Sequence, residues 1–375
     1  MAIELENEIE LTDEMIEEAR ALEGTPVRIE QWNHEATLDT IRHYAWGVGD
    51  NNPLYCDEEY AAKGPYGTII APPTFLHSIH SGAMGLGMRG LQPIYAGTLW
   101  KFFDIVRRGD RFRADSKIGP IKVLEGTTAK RMVIQTLLTD YVREADGAIV
   151  ATSEGRTFRI PRGKAAGGLS YQPREAKEWT REELEAIQEE AVAEPVRGAE
   201  PRYWEDVEVG EQLPRLVKGP IDLQTMTGYY AGLIGSPSMK SVEMRWLYRW
   251  RGLNQPELLP NNYDPSFYTE LKSPGLGHID PKTASEVGMP GAYGNGAQKA
   301  GWMGHIILNW MSDVGQMVEL ETRLQRPDIF GDVVYIYATV TDKPEPGKVE
   351  LSIETINHEG TKTATGRAVV VLPQR

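Results

Sequence analysis

The chain has 375 residues, a formal net charge of -14 and 41% hydrophobic residues. This is the composition of a globular protein long enough for two domains. The negative charge argues against a nucleic-acid-binding protein, and the single cysteine, Cys56, excludes an internal disulfide. No apolar run reaches the roughly 20 residues that span a bilayer. The acidic N-terminus has no signal-peptide core, so we expect a cytoplasmic protein without a membrane segment. The histidines lack the spacing of a metal site, and we expect no metal.

An internal repeat divides the chain into two halves. The distance from Tyr55 to Gly109 is 54 residues, and the distance from His278 to Gly331 is 53. The segments ATSEGRTFRIP and KTATGRAVVVLP close the two halves alike. Because four such correspondences occur in the same order, they indicate an old duplication. We predict domains at residues 1–162 and 201–375, joined by a linker at 163–200 that is rich in Gly, Ala and Pro around a charged helical run.

Both halves predict the same order of elements. In chain order, the first half predicts helices over Thr37–Val48 and Pro73–Met84, followed by antiparallel hairpins. The second half predicts helices over Leu223–Leu233 and Ala297–Met311, again followed by hairpins. The hairpins are indicated by alternating polarity and by turns such as ADG and HEG. Strands that follow helices within each half, rather than alternating with them, predict an α+β fold.

Two motif blocks resemble the MaoC-like (R-specific enoyl-CoA) hydratase/dehydratase family. The first half contains GDNNPLY at Gly49–Tyr55, against the family pattern Gly-Asp-x-Asn-Pro-hydrophobic-His. The second half contains GHIDPKTASEVGMPGAYGNG at Gly277–Gly296, as well as RYWEDVEVGEQLP. The resemblance covers nearly the whole chain except the linker and an insertion at residues 234–277. It implies two fused hotdog domains, each a long central helix wrapped by an antiparallel sheet, with a degenerate first half that helps to form the acyl pocket.

The resemblance carries catalytic roles onto three residues of the second half. His278 matches the catalytic histidine of the family, Asp280 its acidic neighbour, and Gly296 the glycine that stabilises the oxyanion. The catalytic aspartate should lie five residues before His278, but that position is Ser273. Asp280 precedes a proline and a helical run, so a helix cap is an alternative interpretation for it.

Four further residues are candidates for binding substrate. Tyr293 and Asn295 directly precede Gly296 and are expected to line the pocket. In the first half, Asp50 keeps the aspartate position of the family pattern, whereas Tyr55 replaces its histidine. Neither half therefore carries an intact Asp/His pair.

The insertion supplies candidate replacements and a candidate coenzyme A contact. Asp264 or Glu270 could provide the missing carboxylate. Arg245 and Arg249 are four residues apart and share a helix face, beside Trp246 and Trp250. Arginine with tryptophan suits the phosphates and adenine of coenzyme A. The alternative is an insertion with exposed charges and tryptophans packed inward.

The resemblance implies a lyase that adds or removes water at a 2-enoyl or 3-hydroxyacyl thioester of coenzyme A. The reaction needs a base, an acid and stabilisation of an enolate oxygen. Coenzyme A is part of the substrate, and no separate cofactor is expected. A non-catalytic acyl-CoA-binding protein, another lyase and a thioesterase stay open, although Ala297–Met311 lacks the carboxylate that a hotdog thioesterase typically places on its central helix. Monomer and homodimer are both open.

Overall fold

The computed structural model describes residues 10–80, 86–125, 131–161, 171–233, 240–263, 274–286 and 288–375. These residues form one antiparallel ten-stranded sheet with helices packed against it, which confirms the predicted α+β class. The strands are β1 (Pro26–Val27), β2 (Gln92–Phe102), β3 (Phe112–Leu124), β4 (Met132–Arg143), β5 (Ile149–Ile160), β6 (Leu216–Lys218), β7 (Gln316–Leu324), β8 (Val334–Asp342), β9 (Lys348–Asn357) and β10 (Lys362–Val371).

The strand order of the sheet repeats the duplication seen in the sequence. The order is β1-β3-β4-β5-β2-β7-β10-β9-β8-β6, so each half contributes five strands and the same succession runs outward from the β2–β7 junction. At that junction Leu99 pairs with Glu321 and Trp100 with Leu320. Strands β2 and β7 would each be an open sheet edge in an isolated half, and their pairing removes both edges. The domain limits 1–162 and 201–375 stay a prediction, because the sheet is continuous across them.

Nine α-helices accompany the sheet within the described ranges, and several begin at side chains that cap their first amides. Thr37 and Thr180 each form a reciprocal capping box at a helix start. The helix that begins after Thr180 lies inside the predicted linker. The helices are α1 (Asp13–Ala21), α2 (Leu38–Gly47), α3 (Pro53–Cys56), α4 (Glu58–Lys63), α5 (Arg181–Val192), α6 (Leu223–Ala231), α7 (Val242–Asn254), α8 (Pro281–Glu286) and α9 (Gly296–Met311).

Helix α9 is the central helix of the second half, within one residue of the predicted range. All residues at positions 297–311 are buried, including the polar side chains of Gln298, Lys299, His305 and Asn309. It contacts β2 of the first half as well as β7, β8, β9 and β10 of its own half. Its core position means that a side chain on α9 can face either half of the protein.

The central segment of the first half is shorter than predicted. Instead of a helix over Pro73–Met84, the structure has a 3-10 helix over Pro73–Ser78, and residues 81–85 lie outside the description. Pro73 occupies the first turn as expected. Runs of 3-10 helix are short because their hydrogen-bond geometry is poor.

Helices α2 and α6 cross at a pair of glycines that reflect the internal symmetry. A Cβ on Gly47 would lie 3.0 Å from the Cα of Tyr229, and a Cβ on Gly232 would lie 2.9 Å from the Cα of Tyr44. Glycine is required at both positions because the backbones approach too closely for a side chain. The reciprocal contacts make α2 and α6 equivalent elements of the two halves.

Candidate functional site

His278 lies at the end of a 3-10 helix over Pro274–His278, where its imidazole packs between two tyrosines. The ring centroid is 4.3 Å from that of Tyr293 and 6.3 Å from that of Tyr230. Its Nδ1 is 2.9 Å from the carbonyl oxygen of Tyr293, so Nδ1–H donates and Nε2 carries the lone pair. Nε2 has no hydrogen-bond partner among the described residues. The histidine is therefore oriented by the protein with one basic nitrogen available to a ligand.

Burial sets the protonation state of His278. Desolvation lowers the pKa of the imidazole to about 4, and the hydrogen bond to the Tyr293 carbonyl offsets this only in part. The ring is consequently neutral at neutral pH. A neutral imidazole with a free Nε2 can accept a proton from water or from a substrate carbon.

The start of α9 faces the same region through Asn295. Asn295 caps the helix, since its Oδ1 accepts from the N–H of Ala297 at 2.9 Å. Its Nδ2 lies 3.4 Å from the hydroxyl of Tyr230 on α6. The structure therefore brings together four residues singled out by sequence, His278, Tyr293, Asn295 and Gly296. Sequence reasoning missed Tyr230, which reaches the site only because α6 packs beside it.

Gly296 combines a packing requirement with an available amide. A Cβ at this position would lie 2.6 Å from Cδ1 of Tyr95 and 2.7 Å from Cδ2 of Leu324, so the close contact requires glycine. Its N–H belongs to the first turn of α9, where amides have no partner within the helix. The helix dipole adds partial positive charge at this end. The arrangement suits a developing negative charge on a ligand oxygen.

Asp280 caps the start of α8. Its Oδ2 accepts from the backbone N–H of Thr283 at 2.9 Å and also from the Thr283 hydroxyl. The Nδ1 of His278 is bonded to the carbonyl oxygen of Tyr293. The capping interpretation accounts for the hydrogen bonds of Asp280 to Thr283, and its catalytic role stays a prediction.

Asp50 and Tyr55 lie elsewhere, in the buried interior between the halves. Both are at most 2% exposed. The Oδ1 of Asp50 accepts from the N–H of Asn52 at 2.9 Å and is 3.5 Å from Nε2 of His305. Burial raises the pKa of Tyr55, and Asp50 raises it further. His305 is nine residues along α9 from Gly296, roughly 13 Å at the rise of a helix, so Asp50 belongs to a second region.

That second region, which we term the buried charge cluster, consists of Asp50, Glu194, Lys218, His305 and Asn309. The Nζ of Lys218 is 3.0 Å from Nδ1 of His305 and 2.9 Å from the carbonyl of Gly49. The Oε1 of Glu194 is 2.6 Å from Nε2 of His305 and 2.6 Å from Nδ2 of Asn309. Both nitrogens of His305 are therefore occupied by protein groups.

Arg245 and Arg249 lie on α7, which has no buried residue. Trp246 is 49% and Trp250 is 52% exposed, which contradicts the alternative interpretation in which the tryptophans pack inward. The hydroxyl of Tyr248 on the same helix donates to Glu30 at 2.8 Å, which ties α7 to the first half. Whether the two arginines bind coenzyme A stays a prediction. The alternative carboxylates, Asp264 and Glu270, lie outside the described residues, as does Ser273.

An open cavity of about 360 Å³ lies at the other end of α9, lined in part by Asn309, Trp310 and Arg202. It is roughly 20 Å along the helix from Gly296. The guanidinium of Arg202 pairs with Glu211 and lies 4.3 Å over the Trp310 ring. Its charge is thus met by the protein, and we assign the cavity no role.

The described part of the chain contains neither a metal-binding cluster nor a membrane-spanning helix. No group of three or more His, Cys, Asp or Glu side chains there could hold a metal ion. Likewise, no helix within the described ranges is both long enough and apolar enough to cross a bilayer.

Comparison with known proteins gives three kinds of similarity. The family model "FAS1-like, dehydratase domain region" matches residues 23–153. A UPF0336 protein of Streptomyces avermitilis is 36% identical over 100 residues, which are 25% of this chain and 67% of that protein. A 3-hydroxybutyryl-CoA dehydratase of Methylorubrum extorquens is 30% identical over 76 residues, 20% of this chain and 48% of that protein.

A solved structure of a MaoC-like dehydratase resembles the present one along nearly its whole length. The TM-score is 0.64 at 15% identity, with 94% of this chain and 99% of that chain covered. A likeness at this identity concerns the fold, and it confirms the predicted pair of hotdog units. The UPF0336 relative shows the family, and the dehydratase-region match confirms the resemblance of the motifs to MaoC-like hydratases and dehydratases. The chain belongs with the UPF0336 proteins.

Proposed function

We propose that the protein is a hydratase or dehydratase that adds water to a 2-enoyl thioester or removes it from a 3-hydroxyacyl thioester. The observation that carries this proposal is the state of His278. Its Nδ1 is held by the Tyr293 carbonyl at 2.9 Å, while its Nε2 is free of protein partners within the described ranges, close to the start of α9. The match of residues 23–153 to a dehydratase domain region supports the reaction class.

In the hydration direction, Nε2 of His278 takes a proton from water as the water oxygen bonds to the β-carbon. The electron pair of the double bond moves through the α-carbon onto the thioester oxygen and forms an enolate. The enolate oxygen lies at the Gly296 amide and the positive end of α9, where a preorganised donor is typically worth about 10²–10³-fold in rate. The imidazolium then returns the proton to the α-carbon. One histidine can thus act as both base and acid, so the reaction does not require the aspartate that the family pattern places before it.

Coenzyme A is the thioester carrier that we propose. The related protein of Methylorubrum extorquens is described as acting on 3-hydroxybutyryl-CoA. The arginines of α7 offer cationic groups on a surface of an otherwise strongly acidic protein. The proposed reaction takes place at the acyl group and does not depend on which carrier bears the thioester.

The decisive experiment compares His278→Gln with a matched substitution at an exposed histidine, His34→Gln. We expect wild type to consume crotonyl-, cinnamoyl- or steroid-type enoyl-CoA, measured as loss of the conjugated absorbance. His278→Gln should lose about 10²–10⁴-fold in turnover, the usual contribution of a positioned acid–base group. His34→Gln should stay at the wild-type rate, and both variants should keep the wild-type circular dichroism.

A second candidate function is acyl-thioester binding without turnover. Among the described residues, no aspartate or glutamate forms a hydrogen bond with His278, and this observation favours it. A folded wild-type chain that binds enoyl thioesters tightly but leaves all of them unchanged would support binding alone. In that case His278→Gln would keep the ligand affinity.

A further inference from the structure

The phenol of Tyr230 lies at the edge of the His278 site and has no role in the reaction proposed so far. It comes from α6, and the residue is 3% exposed. Its ring centroid is 6.3 Å from that of His278, and its hydroxyl is 3.4 Å from Nδ2 of Asn295. Since Asn295 directly precedes Gly296, the phenol, the imidazole and the first amide of α9 surround one region.

The hydrogen bonds around Asn295 fix the direction in which Tyr230 donates. The Oδ1 of Asn295 accepts from the N–H of Ala297 at 2.9 Å, so the amide cannot be reversed without losing the cap. Its Nδ2 therefore faces Tyr230 and donates to the phenol oxygen. The O–H hydrogen of Tyr230 then has no acceptor within the described part of the chain. A buried donor without an acceptor is costly, and a ligand oxygen would satisfy it.

The neighbouring tyrosine gives a contrast within the same helix. Tyr229 is also fully buried, and its hydroxyl also lacks a hydrogen-bond partner among the described residues. Its ring is 6.0 Å from that of Tyr230, but within the described part of the chain it forms no hydrogen bond or ring contact with His278 or Asn295. An unpartnered hydroxyl alone therefore does not identify a catalytic residue. Tyr230 differs because its hydroxyl lies beside the start of α9.

We infer that Tyr230 is a catalytic residue that donates a hydrogen bond to the thioester carbonyl oxygen, as a second donor beside the Gly296 amide. This inference rests on the proposed function. The phenol from α6 and the amide from α9 approach from different elements, so together they hold a carbonyl oxygen in place while Nε2 of His278 takes a proton from the water that adds to the β-carbon and returns it to the α-carbon. No bond to the Tyr230 proton breaks in this role, and the proton that moves is the one carried by His278.

The environment of Tyr230 favours a hydrogen-bond donor over an acid. Burial raises the pKa of the phenol above its ordinary value, although the Asn295 amide acts in the opposite direction. The O–H therefore stays protonated at neutral pH. A donor of this kind in a site shielded from water stabilises an enolate oxygen without itself ionising.

The test compares Tyr230→Phe with Tyr229→Phe, two isosteric changes at adjacent buried positions. In turnover of an enoyl-CoA ester we expect Tyr230→Phe to lower kcat by about 10²-fold, the usual effect of one oxyanion donor, with a smaller change in KM. Tyr229→Phe should stay within a few-fold of wild type. Equal kcat values for the two variants and wild type would overturn the inference and leave the proposed function intact.

A binding measurement separates this inference from the proposed function. Calorimetry is run with a saturated butyryl-CoA thioester and with its thioether analogue, in which a methylene replaces the carbonyl. Tyr230→Phe should weaken binding of the thioester about tenfold and leave the thioether unchanged, whether or not the protein turns over substrate. Equal weakening of both ligands, or a wild type that binds neither, would overturn the role assigned to the hydroxyl. If Tyr230→Phe does not fold, Tyr230→His, which keeps a polar ring, is measured in the same way.

Discussion

The His278 site and the buried charge cluster contain similar side chains in opposite situations. In the first, one imidazole nitrogen is held by a backbone carbonyl and the other is available. In the second, Lys218 occupies Nδ1 of His305 and Glu194 occupies Nε2, with Asp50 at 3.5 Å. An Asp/His pair does exist in this protein, but it lies where every donor and acceptor of the histidine is already used. To identify a reactive histidine, an imidazole nitrogen without a protein partner is therefore a better guide than the presence of a nearby aspartate.

The comparison suggests how the duplicated motif diverged. The first half keeps the aspartate of the family pattern, and that carboxylate now lies close to a lysine and a histidine of the second half. The second half keeps the histidine, which the Tyr293 carbonyl orients in place of a carboxylate. We interpret the cluster as a structural connection between the halves and the His278 region as the reactive one.

The largest expected effect on stability comes from Lys218→Met. The substitution removes the cation from a buried cluster that retains the carboxylates of Glu194 and Asp50. Loss of one partner of a buried ion pair typically lowers the free energy of unfolding by about 3–5 kcal/mol. Urea unfolding measures this change. The exposed pair of Arg181 and Glu185, 2.8 Å apart, gives the control, since Arg181→Met should change stability by less than about 0.5 kcal/mol.

A double substitution sharpens the same test. Lys218→Met with Glu194→Gln should be less destabilised than the sum of the two single changes, because the residues lie in one network. Strict additivity, or a Lys218→Met variant as stable as wild type, would mean that the cluster does not connect the halves. The structural interpretation would then fail for this region.

Acid should affect the two regions in separate pH ranges. Burial lowers the pKa of His278 from 6.5 to about 4, so kcat/KM should fall near pH 4 instead of near pH 6.5. Burial raises the pKa of Glu194, but the hydrogen bond from His305 and the nearby charges outweigh it, and the pKa is lowered from 4.5 to about 2.

The sign of the stability change follows from which state binds more protons. Between pH 6.5 and 4 the unfolded chain protonates at position 278 and the folded chain does not, so stability falls as the pH falls through this range. His77 and His80, whose pKa values burial also lowers, add to it. The Glu194 contribution is complete above pH 4.5 and is lost as the pH falls toward 2. Urea unfolding across pH should show that Glu194→Gln flattens only the lower range and His278→Gln only the upper one. The opposite pattern would contradict the assignment.

Local motifs could be predicted, whereas contacts between distant segments could not. The residues from His278 to Gly296 form a short stretch whose turns and helix starts are encoded locally, so their convergence at one site followed from the family pattern. Position 194 lies in the predicted linker and position 50 in the first half, and their contacts with His305 depend on the packing of whole domains. A sequence signal for the cluster was the presence of His305 and Asn309 within the predicted central helix, which we did not use.

The positions of Tyr230 and of the α7 tryptophans also depend on packing between segments that are distant in sequence. Tyr230 reaches the site through the crossing of α2 and α6, which the Gly47 and Gly232 contacts permit. Without knowledge of that crossing, the sequence does not indicate which of Tyr229 and Tyr230 reaches the site. The alternative for the tryptophans of α7 placed them in the interior, but roughly half of each is exposed, so hydrophobicity alone did not determine burial.

The smallest expected effect on stability is that of substitutions at Asp280. These substitutions also test whether Asp280 takes part in the reaction at His278. As a helix cap it should tolerate Asp280→Ser, because serine accepts the same backbone hydrogen bond, whereas Asp280→Ala should lower the free energy of unfolding by about 0.5–2 kcal/mol. Thermal unfolding and enoyl-CoA turnover are measured on both variants, and we expect turnover to follow the folded fraction. Should Asp280→Ser fold normally yet lose turnover about 10²-fold or more, the carboxylate would act in the chemistry. The reactive region would then contain the acidic partner that the contacts of His278 do not show.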